Sequence, residues 1–294
     1  MTIHSKQELG IALVAALAGG AAVAQNEDFS AVQIVPHHLA GNVHYLEGRG
    51  GNIGVLVGED GVVMVDDQFA PLTEKIIAAI GTLTDEDIRF VINTHVHPDH
   101  TGGNENLGGL GIPIIAHDNV LVRLMQGIRG GPPAPEAAWP VVTYGDGIDM
   151  HLNGEDIAVV KVPPAHTDGD SFIHFKTANV LHLGDVFRTG AFPVIDVANG
   201  GTARGTIEAL QLAIAMAEPD TIMLPGHGTP STRDDVQKFL DMVVDVEARV
   251  SSLVDQGMTL EQVMAAMPTS AYDDAGLGSP ERFLTGLYES LRND

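Results

Sequence analysis

Cysteine is absent from the 294 residues, which excludes disulfides and thiolate metal ligands. Basic residues are scarce: 15 Lys and Arg stand against 39 Asp and Glu, a formal charge of −24. Such a surface repels phosphate backbones, which disfavours nucleic-acid partners and suits solubility in a salty medium. The apolar stretch Leu9 to Leu17 is followed by glycines and a polar segment, which argues against a permanent transmembrane span. No Gly-rich phosphate loop, Ser-His-Asp arrangement or basic patch rises above background.

A hydrophobic content of 44% is ample for a folded core, and no internal linker divides the chain. Residues 1–24 read as a secretory signal peptide: Lys6 precedes the run Leu9 to Leu17, and Ala22-Val23-Ala24 offers small residues before a cut at Gln25. Removing that leader takes Lys6 and Glu8 together and leaves the charge unchanged. The mature chain is then a single domain, 25–294, expected in a bacterial periplasm, where disulfides are permitted but not required.

Metal-binding donors concentrate in His95-Val96-His97-Pro98-Asp99-His100-Thr101-Gly102-Gly103, with three imidazoles and one carboxylate inside six residues. The apolar run Ile88 to Ile92 just upstream reads as a buried strand. Four polar side chains crowded at a strand end each need a partner if buried, and a divalent metal that favours imidazole nitrogen and carboxylate oxygen supplies one. Three more donors occupy similar settings. His166 follows Ile157 to Val162 in a Pro/Gly-rich loop, Asp185 follows Leu181-His182-Leu183-Gly184, and His227 lies in Pro225-Gly226-His227-Gly228. Strand-to-loop junctions are the usual place for ligand-binding residues in layered α/β folds. Seven such donors suffice for two metal ions.

Asp66 closing a strand, the HVHPDH segment, the His166 loop, Asp185 and the Gly-His227-Gly turn, in that order, resemble the metallo-β-lactamase-fold hydrolase superfamily. The resemblance runs from Phe29 to about Leu240 and implies an α/β fold, a four-layer αβ/βα sandwich. It also implies that His95, His97 and His166 hold one zinc and that Asp99, His100 and His227 hold a second. Asp185 would bridge the two or bind the second, and Asp66 would orient a ligand from beneath. Iron or manganese suits the same nitrogen and oxygen donors. The leader and the HTGGNENL context resemble the periplasmic β-lactamase-like branch. Asp185 and His100, by contrast, match the pattern of glyoxalase II-like thioesterases and lactonases, whereas the best-known lactamases place a cysteine where Asp185 stands.

The resemblance extends to two catalytic candidates besides Asp99, which would orient the nucleophile. Arg188 lies three residues past Asp185, where family lactamases carry a base that grips a substrate carboxylate; the alternative is an exposed charge. Asn199 resembles a family asparagine that contacts the substrate carbonyl, although Asn-Gly is also an ordinary turn. Phe69 and the Trp139 region are candidates for pocket walls. The remaining histidines lack ligand spacing and suit surface or satisfied-core roles.

Periodicity and turn residues predict strands at Val32 to Val35, Val43 to Leu46, Ile53 to Val57, Val62 to Val65, Ile88 to Ile92 and Ile112 to Ala116. In the second half they predict strands at Ile157 to Val162, Phe172 to Phe175, Val180 to Leu183 and Thr221 to Leu224. Helices are expected from Pro71 to Ile80, Asn119 to Gln126, Thr206 to Ala217, Arg233 to Val250, Thr259 to Ala266 and Ser279 to Arg292. The first functional expectation is an exported zinc hydrolase opening cyclic amides of a small-molecule substrate. The second is a lactonase or glyoxalase II-like thioesterase. A non-catalytic zinc-binding accessory protein is the third, and the complete donor set argues against it.

Overall fold

Val62-Val63-Met64-Val65 is buried at every position, the mark of a strand covered on both faces. It is β4 of a seven-stranded sheet in sequential order. The others are β1 (Val35–Ala40), β2 (Val43–Glu47), β3 (Ile53–Leu56), β5 (Ile88–Ile92), β6 (Ile114–His117) and β7 (Val142–Tyr144). The first four strands pair antiparallel through short turns. From β4 to β7 the pairing is parallel, so each connection needs a crossover. The crossovers contain α1 (Thr73–Ile80), then α2 (Pro98–Thr101) with α3 (Asn104–Gly109), then α4 (Asp118–Gln126).

The second sheet comprises β8 (Gly147–Leu152), β9 (Glu155–Lys161), β10 (Ser171–Phe175), β11 (Val180–His182) and β12 (Ile222–Leu224), in the order β12-β11-β10-β9-β8. Only β11–β12 is parallel, and α5 (Ala203–Met216) makes that crossover. Helices α6 (Arg233–Asp255), α7 (Leu260–Ala265) and α8 (Glu281–Asn293) follow.

Alternation along the strands sorts the core into layers. Val63, Val65 and Ile92 meet Ile157, Ile173, Phe175 and Leu224 between the sheets. Phe172, Leu181 and Met223, one residue out of phase with Ile173, Val180 and Leu224, face Leu210, Val243, Phe283 and Leu287 of the helices. Helix, sheet, sheet and helix make the four-layer sandwich that the sequence led us to expect. The computed structural model describes residues 28–293, and from Val32 onward they form one compact unit. The leader expected at 1–24 lies outside the described residues.

Five elements differ from the sequence reading. β1 starts at Val35 and carries His37 and His38, half-exposed along a sheet edge where hydrophobicity gives little signal. β7 and β8 were not foreseen; β8 alternates between exposed and half-buried residues at the other sheet's edge and lacks an apolar run. The Pro71 turn is a short 3-10 segment, Ala70–Leu72, with the α-helix beginning at Thr73. The long helix α6 runs five residues past the expected Val250, capped at its start by a Thr232–Asp235 box.

Candidate metal centre

All of the predicted donors leave the sheets at one edge. Asp66 follows β4, the histidine segment follows β5, Asp185 follows β11, and His227 follows β12. His166 lies in the connection between β9 and β10. Parallel strands that end together place their following loops in one crevice. Here the β4–β5 and β11–β12 pairs of the two sheets do so jointly.

The hydrogen bonds fix which ring nitrogen of each imidazole is free. Asp66 accepts from Thr94 N (2.7 Å), Thr94 Oγ1 (2.7 Å) and His100 Nδ1 (2.7 Å). Because a carboxylate can only accept here, His100 donates from Nδ1, and Nε2 is the nitrogen it turns toward the cluster. The Thr94 hydroxyl spends its proton on Asp66, so it accepts from His95 Nδ1 at 3.0 Å and leaves His95 Nε2 bare. That buried nitrogen has no hydrogen-bond partner. His166 Nδ1 donates to the Val194 carbonyl at 2.6 Å, and His97 Nε2 donates to Asp196 Oδ2 at 2.6 Å. The lone pairs of His166 Nε2 and His97 Nδ1 therefore face each other at 2.8 Å.

Lone pairs aimed at one another in a dry site repel unless a cation lies between them. The structure thus tests the metal expectation on its own terms, and the donors fit. His95, His97 and His166 offer ligand atoms within 4.8 Å of one another. Asp99, His100 and His227 form a second such group, and His95, His100 and Asp185 a third. Asp185 Oδ1 lies 3.2 Å from His100 Nε2 and 3.4 Å from His227 Nε2, while its Oδ2 lies 3.6 Å from His166 Nε2. Asp99 Oδ2 is 3.1 Å from His227 Nε2. All seven predicted ligands meet in one cluster, with Asp185 touching both halves.

The electrostatics divide the cluster. Burial pushes His95, His97 and His166 below the ordinary imidazole range, so these rings stay neutral. Burial acts the same way on His100 and His227, but nearby carboxylates, Asp185 foremost, raise both above it. Burial would raise Asp99 and Asp185 in turn, yet His100 and His227 hold both carboxyls low.

Two glycines make the approach possible. A Cβ at Gly51 would collide with the His100 ring, and one at Gly226 would collide with Asp185 Oδ1 and the Gly184 backbone.

The cluster opens into a cavity of about 170 Å3 lined by His97, Asp99, His166, Asp185, Arg188 and His227, among others. Arg188 lines it as expected, and its buried Nε has no hydrogen-bond partner. Asn199 is placed elsewhere. It is 1% exposed, and its Nδ2 donates to Asp196 at 2.7 Å, so it braces the carboxylate behind His97 instead of facing the cavity. The expected carbonyl contact is corrected accordingly: the Asp196 side chain captures the amide within the same tight turn. Trp139 and Phe69 do not line the cavity either; the indole Nε1 donates to the Ala134 carbonyl at 3.0 Å in the packing around α4. His182 is fully buried, donating from Nε2 to Asn52 O and accepting at Nδ1 from Gly184 N.

Several residues that the motif does not reveal hold the site together. Asp196 accepts from His97, Asn199 and Arg129, the last at 2.6 Å. Burial alone would raise the Asp196 carboxyl, but these donors hold it far below its usual range. Asp170 accepts from His166 N, Thr167 N and Thr167 Oγ1 and so shapes the His166 loop. Thr94 adjoins His95 in the two-residue link that follows β5. Asp196, 99 residues from His97, left no local signal.

Comparison with known proteins agrees with this architecture. The sequence profile of the metallo-beta-lactamase superfamily matches residues 46–227. A hydroxyacylglutathione hydrolase from Polaromonas sp. is 28% identical over 160 residues, 53% of this chain and 55% of that protein. One from Erythrobacter litoralis is 33% identical over 105 residues, 35% of this chain and 36% of that protein. The alpha subunit of a 2,4-dinitroanisole O-demethylase from Nocardioides sp. is 22% identical over 135 residues, 45% of this chain and 40% of that protein. The chain thus spans about half the length or less of these curated relatives. Among solved structures, a metallo-beta-lactamase from Pontibacter korlensis superposes with a TM-score of 0.63 at 16% identity, covering 72% of this chain and all of that one. The DIM-1 metallo-beta-lactamase gives 0.61 at 16% identity, covering 72% and 98%. The profile match spans more than half of the chain and contains every donor of the cluster, so this protein belongs to the metallo-beta-lactamase superfamily of metal-dependent hydrolases.

Proposed function

We propose that the protein is a dinuclear hydrolase of small acyl compounds with oxygen or sulfur leaving groups: esters, lactones and thioesters. Asp185 carries this reading. Its two oxygens face both halves of the donor cluster, and a hard carboxylate shared in this way leaves the second position less specialised for a lactam nitrogen than a thiolate would. His95, His97 and His166 would hold one ion, Asp99, His100 and His227 the other, with Asp185 between them. Zinc suits these donors, as do iron and manganese. Bound ions would supply Lewis acidity and an acidified water at neutral pH.

The chain's own groups then set the geometry. Asp99, kept ionised by His100 and His227, lines the cavity with Oδ2 against His227 Nε2, and its carboxylate would orient the attacking water. The Asp66–His100 and Asp196–His97 pairs hold their rings fixed while charge shifts in the cavity. Arg188 offers an unspent guanidinium to a substrate carboxylate. That last feature favours lactam opening as a secondary activity, the first expectation from sequence. The names of the two hydroxyacylglutathione hydrolases favour the acyl reading.

Export to the periplasm, with a mature start near Gln25, is proposed from the order of residues 1–24 alone. Mass spectrometry of protein from the native host tests it, and an intact Met1 or Thr2 would exclude it. Among the described residues no helix is long and apolar enough to cross a membrane.

The deciding experiment joins metal analysis of the purified protein to a panel of lactam, lactone, thioester and phosphodiester substrates. We expect two ions per chain and turnover of lactones or thioesters exceeding that of lactams at least tenfold. Asp185→Ala should lose the second ion and slow every substrate. Two ions and full activity in that variant would remove the observation on which the reading stands.

A further inference from the structure

Arg282, the second residue of α8, lines the metal cavity together with Arg188 and Arg129. Three guanidiniums therefore meet at one cavity of about 170 Å3 in a chain where acids outnumber bases 39 to 15. Arg129 is spent on Asp196, whereas Arg188 and Arg282 have no carboxylate partner among the described residues. Of the arginines elsewhere, Arg123, Arg204 and Arg249 pair with Asp168, Glu208 and Asp245, whereas Arg89 and Arg233 donate to backbone carbonyls. A guanidinium at the cavity with no acid partner of its own can take a substrate carboxylate bidentately.

The two unpaired arginines also stand at different exits. Arg188 belongs to a groove of about 390 Å3 beside Phe187, Phe239 and Tyr272. Arg282, with Arg129 and Val194, belongs to a groove of about 330 Å3 that runs along Asp196, Ala198 and the first turns of α8.

We propose that Arg282 is a specificity-determining residue that binds the free carboxylate at the far end of the acyl chain, so that the preferred substrates are half-esters or half-thioesters of dicarboxylic acids. This inference rests on the acyl-hydrolase reading above. Arg282 is exposed at the start of a helix, where alanine is well tolerated, so its removal leaves the fold intact.

The test compares mono-4-nitrophenyl glutarate with 4-nitrophenyl butyrate, which differ chiefly in the terminal carboxylate. In the metal-loaded protein, Arg282→Ala should raise KM for the glutarate ester about tenfold, the loss expected for one charge-assisted contact, with kcat within twofold. KM for the butyrate ester should stay within twofold, and Arg282→Lys should recover part of the loss. Equal effects on both esters, or none on either, would overturn the proposal. If the wild type cleaves neither ester, the hydrolase reading is what fails, and binding decides the rest. Glutarate should then raise the melting temperature of the metal-loaded wild type more than butyrate does, and Arg282→Ala should abolish the difference. Indistinguishable shifts in wild type and variant would overturn the clamp independently.

Discussion

The proton on His97 Nε2 is committed to Asp196, and that single hydrogen bond makes Nδ1 a ligand. Removing the carboxylate leaves the ring free to flip or change tautomer. Asp196→Ala should therefore weaken metal binding by roughly 10–100-fold, the usual range for an outer partner of a metal-bound histidine. It should also free Arg129 and Asn199, which share the same carboxylate. Metal titration of the purified variant checks this, and unchanged affinity would mean that Asp196 does not set the ring. A pH prediction follows from the opposite behaviour of the two halves. Metal binding to His100 and His227 must displace protons whose affinity neighbouring carboxylates have raised, so that binding weakens as pH falls from above about 6.5. His95, His97 and His166 are lowered by burial, stay neutral further into acid, and keep their ion longer. On acidification from pH 8 to 5 we expect the two ions to leave in sequence, the Asp99–His100–His227 ion first. Equilibrium dialysis with metal counting distinguishes this from loss of both in one step, which would contradict it.

At the scale of the element, each donor depends on a strand end and on the glycine that lets the chain turn there. Gly226 is the sharpest case, since a methyl group would occupy the space of Asp185 Oδ1 and Gly184. Gly226→Ala should displace Asp185 and drop the second ion, while β11 and β12 remain paired. The measurement is metal stoichiometry alongside far-ultraviolet circular dichroism. A folded variant with two ions would show that the turn has room to spare. The same elements explain what the sequence reveals. β4, β5 and β9 are apolar runs that end in polar motifs, so both strand and donor could be read together. Asp185 and His227 were legible because Gly184 and Gly226 mark the turns that follow short apolar strands. β8 and the start of β1 were not, because edge strands bury too little to carry a pattern. Asn199 was misplaced because an Asn-Gly pair says where the chain turns but not what the amide meets, and here Asp196 captures it. Arg282 is invisible for another reason: only the packing of α8 against α5 and α6 through Phe283 and Leu287 brings its neighbour to the cavity.

The molecule as a whole carries −24, and this field acts in opposite senses on folding and on metal capture. Crowded like charges destabilise the compact state, while the same negative potential draws divalent cations toward the cluster. Surface pairs such as Lys176–Asp149, Lys238–Asp235 and Arg249–Asp245 oppose the first effect only weakly, since exposed pairs contribute about 0–1 kcal/mol each. Screening shortens the reach of the field from about 30 Å at 0.01 M salt to about 3 Å at 1 M. Raising ionic strength, with a salt whose anion does not bind the metal, should therefore raise the melting temperature of the metal-free protein. It should at the same time lower the apparent metal affinity, measured by competition with a chelator. The buried Asp66–His100 and Asp196–His97 pairs are shielded from salt and keep the donor geometry constant across the series, so that the change in affinity reports the field alone. A melting temperature that falls with added salt would show that local ion pairs outweigh the net repulsion. A metal affinity indifferent to salt would confine the capture of cations to the donors themselves.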